Sequence, residues 1–355
     1  MRTVDLADLG WDSHWAGAFA PFRLENLIPG RVALEDRNAY IVVTASGETQ
    51  ARVAGRLLRG TAPDRFPKVG DWVALSLKPT DSRAVIQEVL PRRTCFARKI
   101  SGRESSRQIL ATNVDVAFIV QALDATFNPR RIERFLVMAH EGGAQAVIVL
   151  NKADLCDARE ERLAETRAAV GAAPVLVVSG RTRLGLGELR RFVAPGRSCV
   201  FIGTSGAGKS TLINRLHGQP IQTTLEVREQ DGKGRHATTW RELILLPGGG
   251  LVIDTPGMRE FHLWTADGGL DEAFPDVASL ALRCHFPSCS HGTEKRCAIQ
   301  AALADGTLSP QRFASFQKLR RELDGLAKDR REQGYLLRRR HAGALRRPPA
   351  EGFHD

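Results

Sequence analysis

The sequence predicts an α/β protein in three parts: a small all-β barrel, a parallel sheet flanked by helices, and a compact cysteine-bearing helical module. Three observations predict it. Short alternating strands broken by turn residues run from about Gly30 to Arg93. From Val114 onward, apolar strand-like runs alternate with helical patterns. Three cysteines and two histidines then fall within fourteen residues, Cys284 to Cys297. Short strands with turn punctuation suggest a barrel or sandwich. Strand–helix alternation suggests a parallel sheet covered on both faces.

Residues 1–29 read as an N-terminal extension. Its acids Asp5, Asp8, Asp12 and Glu25, with no apolar block after a basic start, argue against a signal peptide. No apolar run approaches the length of a membrane span, so the expected location is cytoplasmic. Over 30–95, the runs RVALED, YIVVTA, ARVAGRLL, GDWVALSL and AVIQEVL count as five strands, which fits a barrel of the oligonucleotide-binding (OB) type. Barrels of this size host many roles. The span 110–268 opens with VDVAFIVQA; Asn128-Pro129 then supplies a cap and a first-turn proline for a helix with Ile132, Phe135, Leu136 and Ala139 on one face. AVIVL, PVLVVS and SCVFIG continue the sheet, with helices around 159–170 and 186–192 between them. ELILL and LVIDTPG, joined by PGGG, read as an antiparallel hairpin. Residues 269–327 hold the cysteine cluster and a helix with Phe313, Phe316, Leu319, Leu323 and Leu326 on its apolar face. From 328 to 355 the chain is charged, contains proline and is expected to be poorly ordered.

The formal net charge is +11 over 355 residues, and its distribution matters more than its size. LLRRRHAGALRR, Leu336 to Arg347, holds five Arg and no acid. A solvated tail would read the same way, but clustered Arg favours nucleic acid phosphates through counterion release. With only two Tyr and 6% aromatic residues, extensive base stacking is not expected; phosphate contact and RNA shape are.

Gly203-x-x-x-x-Gly208-Lys209-Ser210 matches the phosphate-loop pattern after a strand and before a helix. In the loop Gly203, Thr204, Ser205, Gly206, Ala207, Gly208, Lys209, Ser210 and Thr211, the glycines let backbone N–H groups turn inward. Lys209 would reach the β and γ oxygens, Ser210 would offer a hydroxyl to Mg²⁺, and the following helix presents its positive end. For the base, a carboxylate can accept both N1–H and N2–H₂ of guanine, and adenine has no such donor pair on that edge. Asp154 in VLNKAD is placed for this; Lys152 would lie along the ring and Asn151 would tie the loop to its neighbours. Outside this context, NKxD could be no more than a helix cap. Ser179 and Gly180, after the next strand, would close over the base edge. In DTPG, Asp254 would join the Mg²⁺ shell and Gly257 would sense the γ-phosphate. The polar segment EVREQDGKGRHATTW has few apolar anchors, as a ligand-ordered loop should. Thr238, preferred over Thr239, would supply the second Mg²⁺ hydroxyl, although both could be a β-prone pair before Trp240. Met258 follows the glycine of DTPG and cannot orient water, so His236 is the candidate catalytic group beside Lys209; an ordinary surface histidine is the alternative.

In most GTP-binding domains the phosphate loop comes first and the guanine motif later. Here Asn151–Asp154 and Ser179 precede Gly203–Ser210, Thr238 and Asp254–Gly257. The order fits a circular permutation cut between DxxG and NKxD, feasible because termini of compact domains lie close together. KVGDWVAL, NVD leading to NKAD, GTSGAGKSTLIN and DTPGMREFHLW together resemble the ribosome small subunit-dependent GTPase A family over roughly residues 30–325. That resemblance implies a circularly permuted P-loop GTPase domain with an N-terminal OB-like barrel and a C-terminal zinc-binding module. It implies binding of GTP and GDP with Mg²⁺, and action as a monomer on the 30S subunit and its 16S rRNA late in maturation, with release on hydrolysis. The family's switch usually reads His-Thr-Thr-Thr; here Ala237 replaces the first Thr and offers no hydroxyl. A GTP-dependent switch on a different RNA or protein would show the same motifs.

Cys284, Cys289, His291 and Cys297 offer three thiolates and an imidazole, a set that suits one tetrahedral, structural Zn²⁺. Disulfide pairing would leave one cysteine over. His285 could replace His291 but adjoins Cys284.

Overall fold

The computed structural model describes residues 4–36, 39–58, 63–77, 83–99, 107–221, 241–254 and 268–344. The N-terminal strands are β1 (Ile28–Asp36), β2 (Ala39–Thr44), β3 (Gly47–Val53), β4 (Trp72–Ser76) and β5 (Ala84–Val89). They pair in the order β1-β2-β3-β5-β4, and β4 returns to β1, so the sheet closes into a five-stranded barrel. Tyr40 and Val42 on β2, Val73 and Leu75 on β4, and Ile86 on β5 fill the interior, as the period of two demands. Closure brings backbones near: a Cβ on Gly30 would lie 2.6 Å from Val42 and 2.8 Å from Leu75. The run ARVAGRLL is not one strand. Pairing ends after Val53, where Ala54 N–H bonds Ile86 O, and the carbonyl of Ala54 then nucleates a short helix, α2 (Gly55–Leu58).

A helix and a hairpin lie outside the elements the sequence predicts. α1 (Ser13–Arg23), capped by Asp12, buries Trp15 and Phe19, and Trp11 stands edge-on to Trp72 at 4.7 Å. A hairpin of β6 (Cys95–Lys99) and β7 (Arg107–Thr112) follows the barrel.

The central sheet uses β8 (Val116–Ala122), β9 (Gln145–Asn151), β10 (Val175–Val177), β11 (Ser198–Ile202), β12 (Arg241–Leu245) and β13 (Leu251–Asp254). Their spatial order is β10-β9-β8-β11-β13-β12. All neighbours are parallel except the β12–β13 hairpin. β8 is buried along its whole length, so it reads as an unbroken apolar run. Helices α3 (Pro129–Glu141), α4 (Arg159–Val170), α5 (Leu186–Arg191) and α6 (Lys209–His217) connect these strands. β12 also pairs with β1 through Leu34–Glu242 and Glu35–Arg241, joining barrel and central sheet into one 11-stranded sheet.

Arg31 fixes this junction. Its buried guanidinium donates to Gly70 O at 3.2 Å, Asn113 O at 3.0 Å and Ser198 Oγ at 2.8 Å, and also to Leu9 O. One side chain thus joins the N-terminal extension, the barrel, the connecting segment and β11. Burial lowers its pKa to about 10, with Asp115 and Asp71 opposing, so it stays charged at neutral pH.

The C-terminal part contains α7 (Gly269–Ala273), α8 (Pro275–Ala281), α9 (Ala298–Ala304) and α10 (Pro310–Ala344). α10 continues past Lys328, where the sequence had suggested disorder; 345–355 lie outside the described residues. Arg312 is buried in α10 and donates to Glu133 of α3 and to Asp276 of α8, both at 2.9 Å, and to Ala273 O at 3.0 Å. Its guanidinium lies 4.1 Å from the Phe274 ring centre. A buried charge must be paired in this way to be tolerated.

Candidate nucleotide site and metal centre

In a parallel sheet the loops at the carboxyl ends of the strands share one edge, whatever their order in the chain. β9 ends in Asn151–Asp154, β10 is followed by Ser179–Gly180, β11 leads into Gly203–Gly208, and β13 ends at Asp254. One cleft of 1130 Å³ is lined by Asn151, Lys152 and Asp154 together with Gly206, Gly208, Lys209 and Ser210. Motifs some fifty residues apart therefore face the same space.

Asn151 makes the connection. Its Nδ2 donates to Ala207 O at 2.8 Å, and its Oδ1 accepts from Gly180 N–H at 3.1 Å. The side chain is 2% exposed. Guanine-type loop, serine loop and phosphate loop thus meet at one amide. Gly208, at φ 93°, could not carry a side chain: its Cβ would stand 2.2 Å from Asn151 Nδ2. Ser179, fully buried, donates its hydroxyl to Asp154 Oδ1 at 2.6 Å and accepts from the N–H groups of Arg181 and Thr182. This orients the carboxylate, a use of the Ser179 hydroxyl that the motif alone did not suggest.

The phosphate loop turns into α6 at Gly208, so the helix's positive end faces the cleft. Lys209 Nζ donates to Gly203 O at 2.8 Å and Thr204 O at 2.7 Å, folding over its own loop. Asp254 ends β13, beside β11, opposite Glu242 of β12. Burial, then the charges of Asp254 and Glu48, raise the Glu242 carboxyl above its ordinary value. The Ser210 hydroxyl and the Asp254 carboxylate are hard oxygen donors, the kind Mg²⁺ takes. His236, Thr238, Thr239 and Gly257 lie outside the described residues.

Several groups outside the motifs brace the site. Arg215 Nε donates to Gly180 O at 2.8 Å, bracing the serine loop from α6. Lys152 pairs with Asp124 at the end of β8, 2.9 Å away. Asp124 stands outside every motif, and its one sequence signal is its place just beyond a buried strand.

The cysteine cluster closes independently. Cys284, Cys289, His291 and Cys297 bring their ligand atoms within 4.8 Å of one another. Cys284 Sγ lies 3.8 Å from Cys297 Sγ; His291 Nδ1 lies 3.5 Å from Cys284 Sγ and 3.7 Å from Cys297 Sγ. Tetrahedral zinc bonds of about 2.3 Å to sulfur and 2.05 Å to nitrogen place those atoms about 3.8 and 3.6 Å apart. A disulfide would require about 2.05 Å. The donor set therefore fits a metal ion, and His285, exposed and outside the cluster, is not part of it. Burial pushes the Cys284 thiol up, but hydrogen bonds from Ala298 and Ile299 N–H carry it below its ordinary value. Burial and then Arg320 lower His291, favouring the neutral imidazole that binds metal.

Read from β11 through β13 and then from β8 through β10, the strands run in the usual order of a nucleotide-binding sheet cut open between β13 and β8. Fold and cleft together define a circularly permuted P-loop GTPase. The RsgA GTPase family profile matches residues 89–264. The small ribosomal subunit biogenesis GTPase RsgA of Opitutus terrae is 49% identical over 329 residues, 90% of each chain. The protein of the same name from Syntrophotalea carbinolica is 44% identical over 328 residues, again 90% of each. The crystal structure of YjeQ from Thermotoga maritima superposes with a TM-score of 0.65 at 25% identity, covering 84% of this chain and 99% of that one. YloQ, described as a circularly permuted GTPase, shares the fold at a TM-score of 0.61 and 22% identity over 84% and 96% of the two chains. The chain belongs to the RsgA GTPase family.

Proposed function

We propose that this protein hydrolyses GTP while assisting late maturation of the 30S ribosomal subunit, binding the particle through its rRNA and leaving after hydrolysis. The single observation that carries the chemistry is the shared cleft, in which Asp154 and Lys209 line one space. The relatives' name supports the partner: they are small ribosomal subunit biogenesis GTPases.

In this reading Asp154, oriented by Ser179, accepts the two guanine donors, and Ser179–Gly180 close over that edge. The loop Gly203–Thr211 wraps the phosphates. Lys209 leaves Gly203 O and Thr204 O for the β and γ oxygens, so its ammonium exchanges two neutral acceptors for anionic ones. Ser210, Thr238 and Asp254 would hold Mg²⁺, which would supply positive charge against the phosphate oxygens. His236 orients the attacking water and Gly257 senses the γ-phosphate. Water adds to the γ-phosphorus as the bond to the bridging oxygen breaks, and GDP departs with the electron pair. Zn²⁺ at Cys284, Cys289, His291 and Cys297 is structural, because four protein ligands leave no open position.

The net charge of +11 suits an RNA partner. Among the described residues no helix is long and apolar enough to cross a membrane; in this reading the protein works as a monomer in the cytoplasm. The test is GTP turnover with and without purified small subunits. We expect clear stimulation by the 30S particle and little by the large subunit. Turnover indifferent to 30S would redirect the reading toward a GTP-dependent switch on another RNA or protein.

A further inference from the structure

The motif sets Lys152 along the ring of the base and leaves open what holds its side chain there. The Lys152 backbone is left-handed, at φ 63°, a region that costs a non-glycine residue energy. Lys152 is among the residues that line the nucleotide cleft, and Asp124 is not. The ammonium nevertheless ends 2.9 Å from Asp124 Oδ2.

Asp124 is held firmly. Its Oδ1 accepts from the Thr126 N–H at 2.9 Å and the Thr126 hydroxyl at 2.6 Å, and its carbonyl accepts from Phe127 N–H at 3.0 Å. The Thr126 carbonyl is held in turn by Gln121 at 3.2 Å and Arg131 at 3.3 Å. One residue before Asp124, Leu123 N–H donates to Asn151 O at 2.8 Å. The β8–α3 loop is therefore a bracket attached to the guanine-type loop twice, once through backbone and once through the ion pair. Burial pushes the Asp124 carboxyl up, but Thr126 and Lys152 outweigh it and hold it at about 2.

We propose that Asp124 is a positioning residue for nucleotide recognition, its carboxylate drawing the Lys152 ammonium aside so that the apolar stem of Lys152 lies along the base. The inference rests on the guanine reading of Asn151–Asp154. Two consequences separate it from a merely structural loop contact. A lysine stem has many rotamers, and fixing it before the ligand arrives lowers the ordering cost of binding. The ion pair also cancels the Lys152 charge in the guanine-type loop, while Lys209 stands in the phosphate loop.

A double-mutant cycle in the full chain tests this, with the fluorescent analogue methylanthraniloyl-GDP as probe. Both partners are about one-third exposed, 31% and 28%, so the pair is worth roughly a two- to fivefold change in Kd. Asp124→Asn should raise Kd by that factor, and Asp124→Glu should recover part of it. Lys152→Met keeps the stem and removes the charge. In that background Asp124→Asn should change Kd by less than it does alone, because the two act as one unit. Asp124→Asn should also steepen the salt dependence of binding, since the freed ammonium can reach the phosphates. Wild-type affinity in Asp124→Asn, or effects that simply multiply in the double variant, would overturn the proposal. A wild-type protein that does not bind the probe would remove the guanine reading as well, whereas a binding wild type with a silent Asp124→Asn removes the positioning role alone.

Discussion

Asn151→Ala cuts the link among three loops without removing any group proposed to touch the nucleotide. Two hydrogen bonds disappear, at 2.8 Å to Ala207 O and 3.1 Å from Gly180 N–H. Each neutral bond contributes about 1 kcal/mol net, and a buried group left unpaired costs about 1–3 kcal/mol. Asn151 is 2% exposed, but it borders an open cleft from which water can re-solvate the orphaned groups. A total near the lower end follows, roughly 2–3 kcal/mol, or roughly 30- to 150-fold in Kd if the nucleotide must now gather the loops itself. Calorimetric titration with GDP reads the affinity, and thermal unfolding of the nucleotide-free protein reads how much is lost before binding. Asn151→Asp keeps the acceptor for Gly180 but turns a carboxylate toward the Ala207 carbonyl, so it should be at least as damaging. A Kd within twofold of wild type in both variants would refute the claim that this amide holds the halves of the site together.

Three further outcomes follow from other parts of the molecule. Asp154→Asn should weaken GTP at least tenfold and favour xanthosine triphosphate, whose C2 carbonyl needs a donor; retained guanine preference in a competition assay would contradict the Asp154 assignment. Purified protein should carry one zinc per chain by elemental analysis, and Cys297→Ser should lower both the zinc content and the melting temperature; full zinc retention would remove Cys297 from the ligand set. Burial raises the Asp276 carboxyl, but its bonds to Arg312 more than offset this and lower it. The unfolded chain then binds more protons there, so this contribution is present above the ordinary carboxylate pKa of about 4 and is lost as pH falls through the folded value. Arg312→Met should flatten that acid limb of stability and, by leaving Glu133 buried without its partner, cost about 3–5 kcal/mol at neutral pH; an unchanged denaturation midpoint would show that the buried cluster does not hold α10 to the rest of the fold.

The local patterns were legible from residue order because their causes are local. An apolar run such as VAFIVQA must be buried on both faces, Asn128-Pro129 must start a helix, and Gly203 to Ser210 must form a phosphate cradle. The cysteine spacing likewise announced a metal set. Where the pattern was ambiguous the reading missed. ARVAGRLL looks like a strand up to Leu58, yet β2 offers no partner past Arg52 and Ala54 O accepts from Leu57 and Leu58 N–H to start a helical turn. α1 carries a proline at Pro21 and a weakly amphipathic pattern, and its packing on the barrel is what makes it a helix with a purpose.

By itself the sequence determined which chemical groups the protein owns and which short segments present them, since spacing along a strand, loop or helix is a local property. Only the tertiary structure decided that Asn151 grips Ala207, that Lys152 answers to Asp124, that Arg31 and Arg312 are buried hubs, and that β12 continues into the barrel. Each of these joins residues far apart in the chain. Such partners are chosen by which strands lie side by side and which charges burial leaves in need of a mate, and residue order does not contain that information in readable form.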